Sequence, residues 1–155
     1  MKRLLDLVGA SVGLLVVVPI MPIIALAIKL ETRGPVLAKL QRISGGKTIK
    51  VYKFRSMVES AELLKSQLSH LNERGGGPFF KIKHDPRLTR IGRLIRKFRL
   101  DEFPQLVNVL KGELSVVGPR PERPEFVKHL EKVIPHYAMR HLIKPGIAGW
   151  AQINM

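Results

Sequence analysis

Cysteine is absent from the 155 residues, which removes disulfide staples and thiolate chemistry at once and fits a reducing compartment. Acidic residues are scarce: 12 Asp and Glu face 27 Lys and Arg, for a formal charge of +15 at pH 7. The five histidines show no HExxH-type spacing, so none reads as a metal ligand. Gly75-Gly76-Gly77 lacks a following Lys-Ser/Thr helix start, so it is no P-loop, and residues 72–78 read as a linker. Aromatics make up 6%, with no RNP-like pair, no zinc spacing and no convincing recognition helix. What remains is the positive balance. It points to polyanions: nucleic acid, an anionic membrane face or phosphorylated substrates.

Lys2, Arg3, Asp6 and Lys29 are the only charged residues in the first 30. The uncharged run over residues 7–28 is long enough to cross a bilayer core of about 30 Å as one helix. Pro19 and Pro22 interrupt it, and each removes an intrahelical hydrogen bond and favours a kink. Lys2 and Arg3 precede the run while Lys29 and Arg33 follow it, so both ends ask for the cytoplasmic face. A helix that enters, bends at the prolines and returns satisfies both signals. A spanning helix and a cleaved leader stay open, the latter because Ala25-Leu26-Ala27 resembles a cleavage site.

Beyond Glu31-Thr32-Arg33-Gly34-Pro35, residues 36–40 and 49–54 read as strands around a Ser44-Gly45-Gly46-Lys47 turn. Lys53 and Arg55 share one strand face that suits phosphate, or a solvated edge. Val58, Ala61, Leu64 and Leu68 predict a packing helix over residues 57–71. Residues 89–99 predict a basic amphipathic helix suited to an anionic surface. Residues 122–134 predict another helix, and residues 144–152 a turn and short strand.

Asp101 and Glu102 stand inside the most cationic stretch, after Arg87, Arg90, Arg93, Arg96, Lys97 and Arg99 and before Lys111, Arg120 and Arg123. Asp101 suits an N-cap, with Glu102 and Pro104 in the first turn of a helix that stops at Gly112. A carboxylate beside a phosphate site, screened by arginines, is what an aspartyl-phosphate mechanism needs. A plain helix cap explains the same residues. Gly118-Pro119-Arg120-Pro121 makes a stiff turn that fixes where one guanidinium points.

Four motifs in order carry a resemblance: Lys50-Val51-Tyr52-Lys53-Phe54-Arg55-Ser56-Met57, Leu100-Asp101-Glu102-Phe103-Pro104-Gln105, Leu114-Ser115-Val116-Val117-Gly118-Pro119-Arg120-Pro121 and Pro145-Gly146-Ile147-Ala148-Gly149-Trp150-Ala151-Gln152. Together they resemble the bacterial sugar transferases, monotopic phosphoglycosyl transferases that start undecaprenyl-diphosphate-linked glycan assembly. The resemblance implies a mostly α fold with a small β element (α+β). Residues 1–33 would form a re-entrant membrane hairpin, marked by Lys2, Arg3, Pro19 and Pro22, and residues 34–155 the catalytic domain on the cytoplasmic face of the inner membrane.

By the same resemblance Asp101 is the nucleophile, and Glu102 with Asp101 holds Mg²⁺. Lys53, Arg55, Arg96, Arg120 and Pro121 bind substrate. A UDP-sugar gives its phosphosugar to undecaprenyl phosphate and leaves UMP, the first membrane step of exopolysaccharide, O-antigen or capsule-type glycan assembly. Nucleic acid is not a partner, and a homodimer is left open. The stretch Gly76-Gly77-Pro78-Phe79-Phe80-Lys81-Ile82 resembles the branch that moves glucose or galactose phosphate. Three departures stand out: Val18 where many relatives have Ser, Leu40 where they often have Gln, and an end at Met155 where they usually continue. A basic membrane-anchored nucleic-acid module and an inactive truncated scaffold are the competing readings.

Overall fold

One acid, one alanine and one valine, at positions 6, 10 and 17, give the first helix its inward stripe. The computed structural model describes residues 1–73 and 80–154, and in it α1 (Lys2–Val17) buries Asp6, Ala10 and Val17. The bulky residues Leu4, Leu5, Val8, Val12, Leu15 and Val16 face outward. This inverts the pattern of a helix on a water-soluble core. The helix stops at Pro19, and α2 (Met21–Glu31) starts again with Pro22 in its first turn, where the missing N–H is not needed. The two axes meet at 60°. Among the described residues no single helix is long and apolar enough to cross a membrane, whereas this bent pair passes by length and composition together.

The strand hairpin follows: β1 (Leu37–Ser44) and β2 (Lys47–Phe54) pair antiparallel through the tight Gly45-Gly46 turn. Its register sets Arg42 opposite Ile49 and Ala38 opposite Lys53, so Arg42, Val51 and Lys53 lie on one face. The helix expected over residues 57–71 is largely absent. Met57 bridges to Leu88 and the Val58 N–H bonds to the Arg87 carbonyl at 3.0 Å, which holds the start of that segment extended. Only α3 (Leu64–Gln67) and a 3₁₀ turn at Ser69–Leu71 remain helical. Residues 74–79, with the triple glycine and most of the Gly76-to-Ile82 stretch, lie outside the described residues.

The remaining elements are α4 (Arg90–Lys97), α5 (Gln105–Leu110), β3 (Ser115–Val117), α6 (Pro124–Val133), β4 (Gly146–Ala148) and α7 (Trp150–Ile153), with 3₁₀ turns at Leu100–Glu102 and Tyr137–Leu142. β3 and β4 pair in parallel, a long-range contact that residues 144–152 alone did not predict. With two small sheets among the helices, the class is α+β.

Two apolar clusters hold these pieces. Ala10, Val51, Val109 and Leu114 join α1 to β2 and α5, while Ile24, Ile28, Phe54 and Ile95 join α2 to β2 and α4. Polar contacts lock the first joint. Asp6 accepts from Ser115 Oγ (2.8 Å) and the Val116 N–H (2.9 Å). Arg3 donates to the carbonyls of Val109 (2.6 Å) and Leu110 (2.8 Å) at the C-terminal end of α5, where a cation is favoured. Asn108 is fully buried and pins α5 to β2: its Oδ1 accepts from the Tyr52 N–H at 3.1 Å, and its Nδ2 donates to the Lys50 carbonyl at 2.8 Å.

Candidate active site

α4 begins at Thr89, whose Oγ1 accepts from the Gly92 N–H at 2.8 Å, and ends where Arg99 takes a left-handed conformation (φ 55°). That reversal, uncommon for a residue with a Cβ, throws the chain into a 3₁₀ turn at Leu100–Glu102. Asp101 therefore sits inside the turn and caps no helix; α5 starts later, after Pro104. The capping expectation was misplaced because the Arg99 reversal and Pro104 together separate the acid pair from the helix that follows.

Asp101 is buried, and Glu102 half-buried beside it. From β2, Lys53 reaches both acids. Its Nζ hydrogen-bonds Glu102 Oε1 and lies 4.0 Å from Asp101 Oδ2. Burial pushes the Asp101 carboxyl above its ordinary value; Glu102 adds to this, while Lys53 and Arg96 oppose it. Arg96 approaches from α4, with Nε donating to Ser56 Oγ at 2.9 Å. Burial holds its guanidinium below the ordinary arginine value, against the pull of Asp101 and Asp85. A buried carboxylate, two cations and a second acid thus meet at the junction of β2, α4 and the Leu100–Glu102 turn.

An open recess adjoins the pair, lined among others by Arg42, Lys53, Glu102, Gln105, Arg120 and Gln152. Pro121 lines it too. The Gly118 and Gly146 backbones approach so closely that a Cβ on Gly146 would meet Gly118 N at 2.0 Å, which brings the loop after β3 against β4. Gln152 is buried, and its Oε1 has no hydrogen-bond partner among the described residues.

The structure thus gathers Asp101, Glu102, Lys53 and Arg96 in one place and sets Arg120 and Pro121 along the same recess. It sends Arg55 elsewhere. The two terminal nitrogens of that buried guanidinium donate to the Arg33 carbonyl (2.5 Å) and to the Thr32 carbonyl and hydroxyl (2.8 Å each), tying β2 to the end of α2. Pro19 and Pro22 lie at the bend, and Lys2 and Arg3 are engaged with the carbonyls of Val117, Val109 and Leu110. Arg42, Gln105 and Gln152 were not among the expected site residues. Arg42 was legible in one respect: the Gly45-Gly46 turn fixes a register that puts it on the Lys53 face.

One buried and one half-buried acid, bridged by one ammonium beside a cationic recess, make an arrangement chemically suited to phosphate groups. The chain belongs to the bacterial sugar transferase family, whose pattern it matches over residues 1–155. It is 41% identical over 153 residues to the UDP-N-acetylgalactosamine-undecaprenyl-phosphate N-acetylgalactosaminephosphotransferase of Aeromonas hydrophila, covering 98% of this chain and 33% of that one. It is 42% identical over 156 residues to the UDP-glucose:undecaprenyl-phosphate glucose-1-phosphate transferase of Escherichia coli (strain K12), covering 99% and 31%. Against the exopolysaccharide production protein PSS of Rhizobium leguminosarum bv. phaseoli the figures are 41% over 159 residues, 99% and 74%. The chain therefore spans about a third of the length of the first two relatives.

Proposed function

We propose that this chain moves a phosphosugar from a UDP-sugar to undecaprenyl phosphate through a covalent intermediate on Asp101, with release of UMP. The observation that carries the reading is the buried Asp101 carboxyl, held 4.0 Å from Lys53 Nζ at the edge of a recess with Arg120 on its wall. Burial strips water from the carboxylate, while Lys53 and Arg96 favour its ionised form. A carboxylate oxygen attacks the β-phosphorus, the bond to the bridging oxygen breaks, and UMP departs with the electron pair. An oxygen of the acceptor phosphate then attacks the same phosphorus and expels the Asp101 carboxylate, so the acid is regenerated. Lys53 and Arg120 offset phosphate charge, and a covalent relay lets one site take an aqueous and a lipidic substrate in turn.

The donor set suits magnesium. Asp101 and Glu102 supply two carboxylates, and no cluster of three or more His, Asp or Glu forms among the described residues. Mg²⁺ takes one or two carboxylates and completes its shell with water and phosphate oxygens. Glu102 would hold the ion with Asp101 beside it, and when bound it would neutralise charge on the diphosphate.

The hairpin α1–α2 is proposed to lie in one leaflet at the cytoplasmic face of a bacterial inner membrane. Its outward leucines and isoleucines need an apolar surround, and a 60° bend with basic residues at both outer ends suits a chain that returns to the side it entered from. The test is UMP release from UDP-glucose, UDP-galactose and UDP-N-acetylgalactosamine with undecaprenyl phosphate, since the relatives' names divide between glucose and N-acetylgalactosamine. Trapping without acceptor should leave a phosphosugar on the Asp101 peptide. A bare peptide alongside ongoing turnover removes the covalent step.

A further inference from the structure

We infer that Arg42, together with Arg120, forms one phosphate-monoester subsite that receives the departing nucleotide first and the polyprenyl phosphate second. This rests on the transfer reading above. Arg42 stands on the same face of the strand hairpin as Lys53, opposite Ile49, and both side chains line the recess. Ile49 and Lys53 are four residue steps apart along the strand, about 13 Å, so two long cations can reach toward each other across a diphosphate.

Arg42 and Arg120 are also underemployed cations. Among the described residues the Arg42 guanidinium donates only to the carbonyl of its neighbour Gln41, at 2.6 Å, and the Arg120 guanidinium makes no hydrogen bond or ion pair. The nearby Arg123, by contrast, pairs with Glu125 at 3.5 Å and Glu62 at 3.6 Å. Burial, then Arg123 and Arg120, push the Arg42 guanidinium down to about 10; Glu122 and Glu125 resist this. Like charges gathered on a recess wall repel one another until an anion arrives, so a phosphate there relieves the repulsion it meets.

The order of use follows from displacement geometry. Attack by Asp101 must be in line with the bond that breaks, so the leaving phosphate sits opposite the carboxylate. Attack on the aspartyl intermediate expels that same carboxylate, so the incoming phosphate oxygen occupies the position the first phosphate vacated. One cationic arm opposite Asp101 serves both.

The test uses the full chain in lipid nanodiscs. Wild type should bind UMP more tightly than uridine. Arg42→Gln should weaken UMP about tenfold, leave uridine unchanged, and raise the KM for undecaprenyl phosphate by a similar factor, with a melting temperature no lower than wild type. Arg42→Lys should lose less, because it keeps the charge and drops only the fork. Unchanged UMP affinity in Arg42→Gln overturns the subsite, and a shift in UMP affinity without a shift in acceptor KM overturns its sharing. Wild type that turns over no UDP-sugar sinks the transfer reading instead, while UMP titration still decides the Arg42 arm.

Discussion

Arg96 Nε donates to Ser56 Oγ at 2.9 Å, and one turn earlier on α4 Gly92 lies against the carbonyl of that same Ser56. A Cβ at Gly92 would meet Ser56 O at 1.9 Å. The missing side chain therefore seats α4 on the end of β2 and, through it, sets Arg96 beside the acid pair. Gly92→Ala must push the helix away. Overpacking of this kind costs about 1–3 kcal/mol, and the Arg96 contact should be lost with it. Thermal melting should show the destabilisation, and phosphosugar loading of Asp101 should slow by more than about tenfold, the scale of 1.4 kcal/mol in a barrier. Loading at the wild-type rate would mean that Arg96 is not held in place by this contact.

Asp101 gives a pH signature with a defined sign. Burial, the largest cause, and Glu102 raise its carboxyl above the ordinary 3.8, and Lys53 and Arg96 restrain the rise. The acid limb of the rate profile should accordingly lie above the ordinary carboxylate range. A folded value above the unfolded one means the ionised form destabilises the fold once the pH exceeds the folded value. Asp101→Asn should abolish loading and turnover yet melt at or above the wild-type temperature at pH 7, with the gap closing toward low pH. Lys53→Met, which removes the restraining cation, should move the acid limb upward. A limb that stays put in Lys53→Met counts against the electrostatic role given to that ammonium.

The strand hairpin was readable because alternation and the Gly45-Gly46 turn are local signals; three of its ends moved by at most two residues, whereas the first strand runs four residues further than expected, to Ser44. The basic helix was readable for the same reason, with Arg90, Arg93 and Lys97 opposite its apolar side. Residues 57–71 misled because Val58 gives its N–H to Arg87, a partner far along the chain that periodicity cannot reveal. Asp101 and Glu102 stood out as a pair, but their turn depends on a left-handed Arg99 that no glycine announces. Arg55 looked equivalent to Lys53 by alternation, yet the strand ends at Phe54 and the end of α2 captures its guanidinium. The parallel pairing of β3 with β4 joins strands of 3 residues each, too short for a periodic signal.

Asp85 and Arg87 form a second polar knot whose failure should be measurable as stability. Arg87 Nε and Nη2 donate to the two carboxylate oxygens at 2.9 and 2.6 Å, and Nη1 donates to the Ala61 carbonyl at 3.1 Å. Both residues are buried. Arg87→Met leaves Asp85 without its partner, a change that costs about 3–5 kcal/mol. For a chain of this size that is on the order of 10 °C in melting temperature. The double variant Asp85→Asn/Arg87→Met should recover most of it. The Arg87 hydrogen bonds hold the Asp85 carboxyl below its ordinary value, so this contribution is present at neutral pH and is lost as the pH falls below 3.8. Acid melting of Arg87→Met should be correspondingly flatter over that window.

The absence of cysteine makes the membrane arrangement directly testable, since any introduced thiol is the sole label site. α1 and α2 send Leu15 (77% exposed), Ile23 (68%) and Leu30 (79%) outward while Asp6, Ala10, Ile24 and Ile28 face the rest of the chain. Water surrounding that surface would leave a continuous apolar face wet, whereas lipid surrounding it would satisfy it. If the bent pair lies in one leaflet, as proposed, both of its ends are on one side. Cysteines placed at Lys2 and Arg33 should therefore react with an impermeant maleimide only in inside-out vesicles. Leu15→Asp should release the chain from vesicles, because a carboxylate at depth costs about 2.5–3.5 kcal/mol on insertion scales, while its melting temperature in detergent stays near wild type. Labelling of the two sites from opposite faces would make the segment a spanning helix, and Lys2 and Arg3 could not then remain bound to the carbonyls of Val117, Val109 and Leu110.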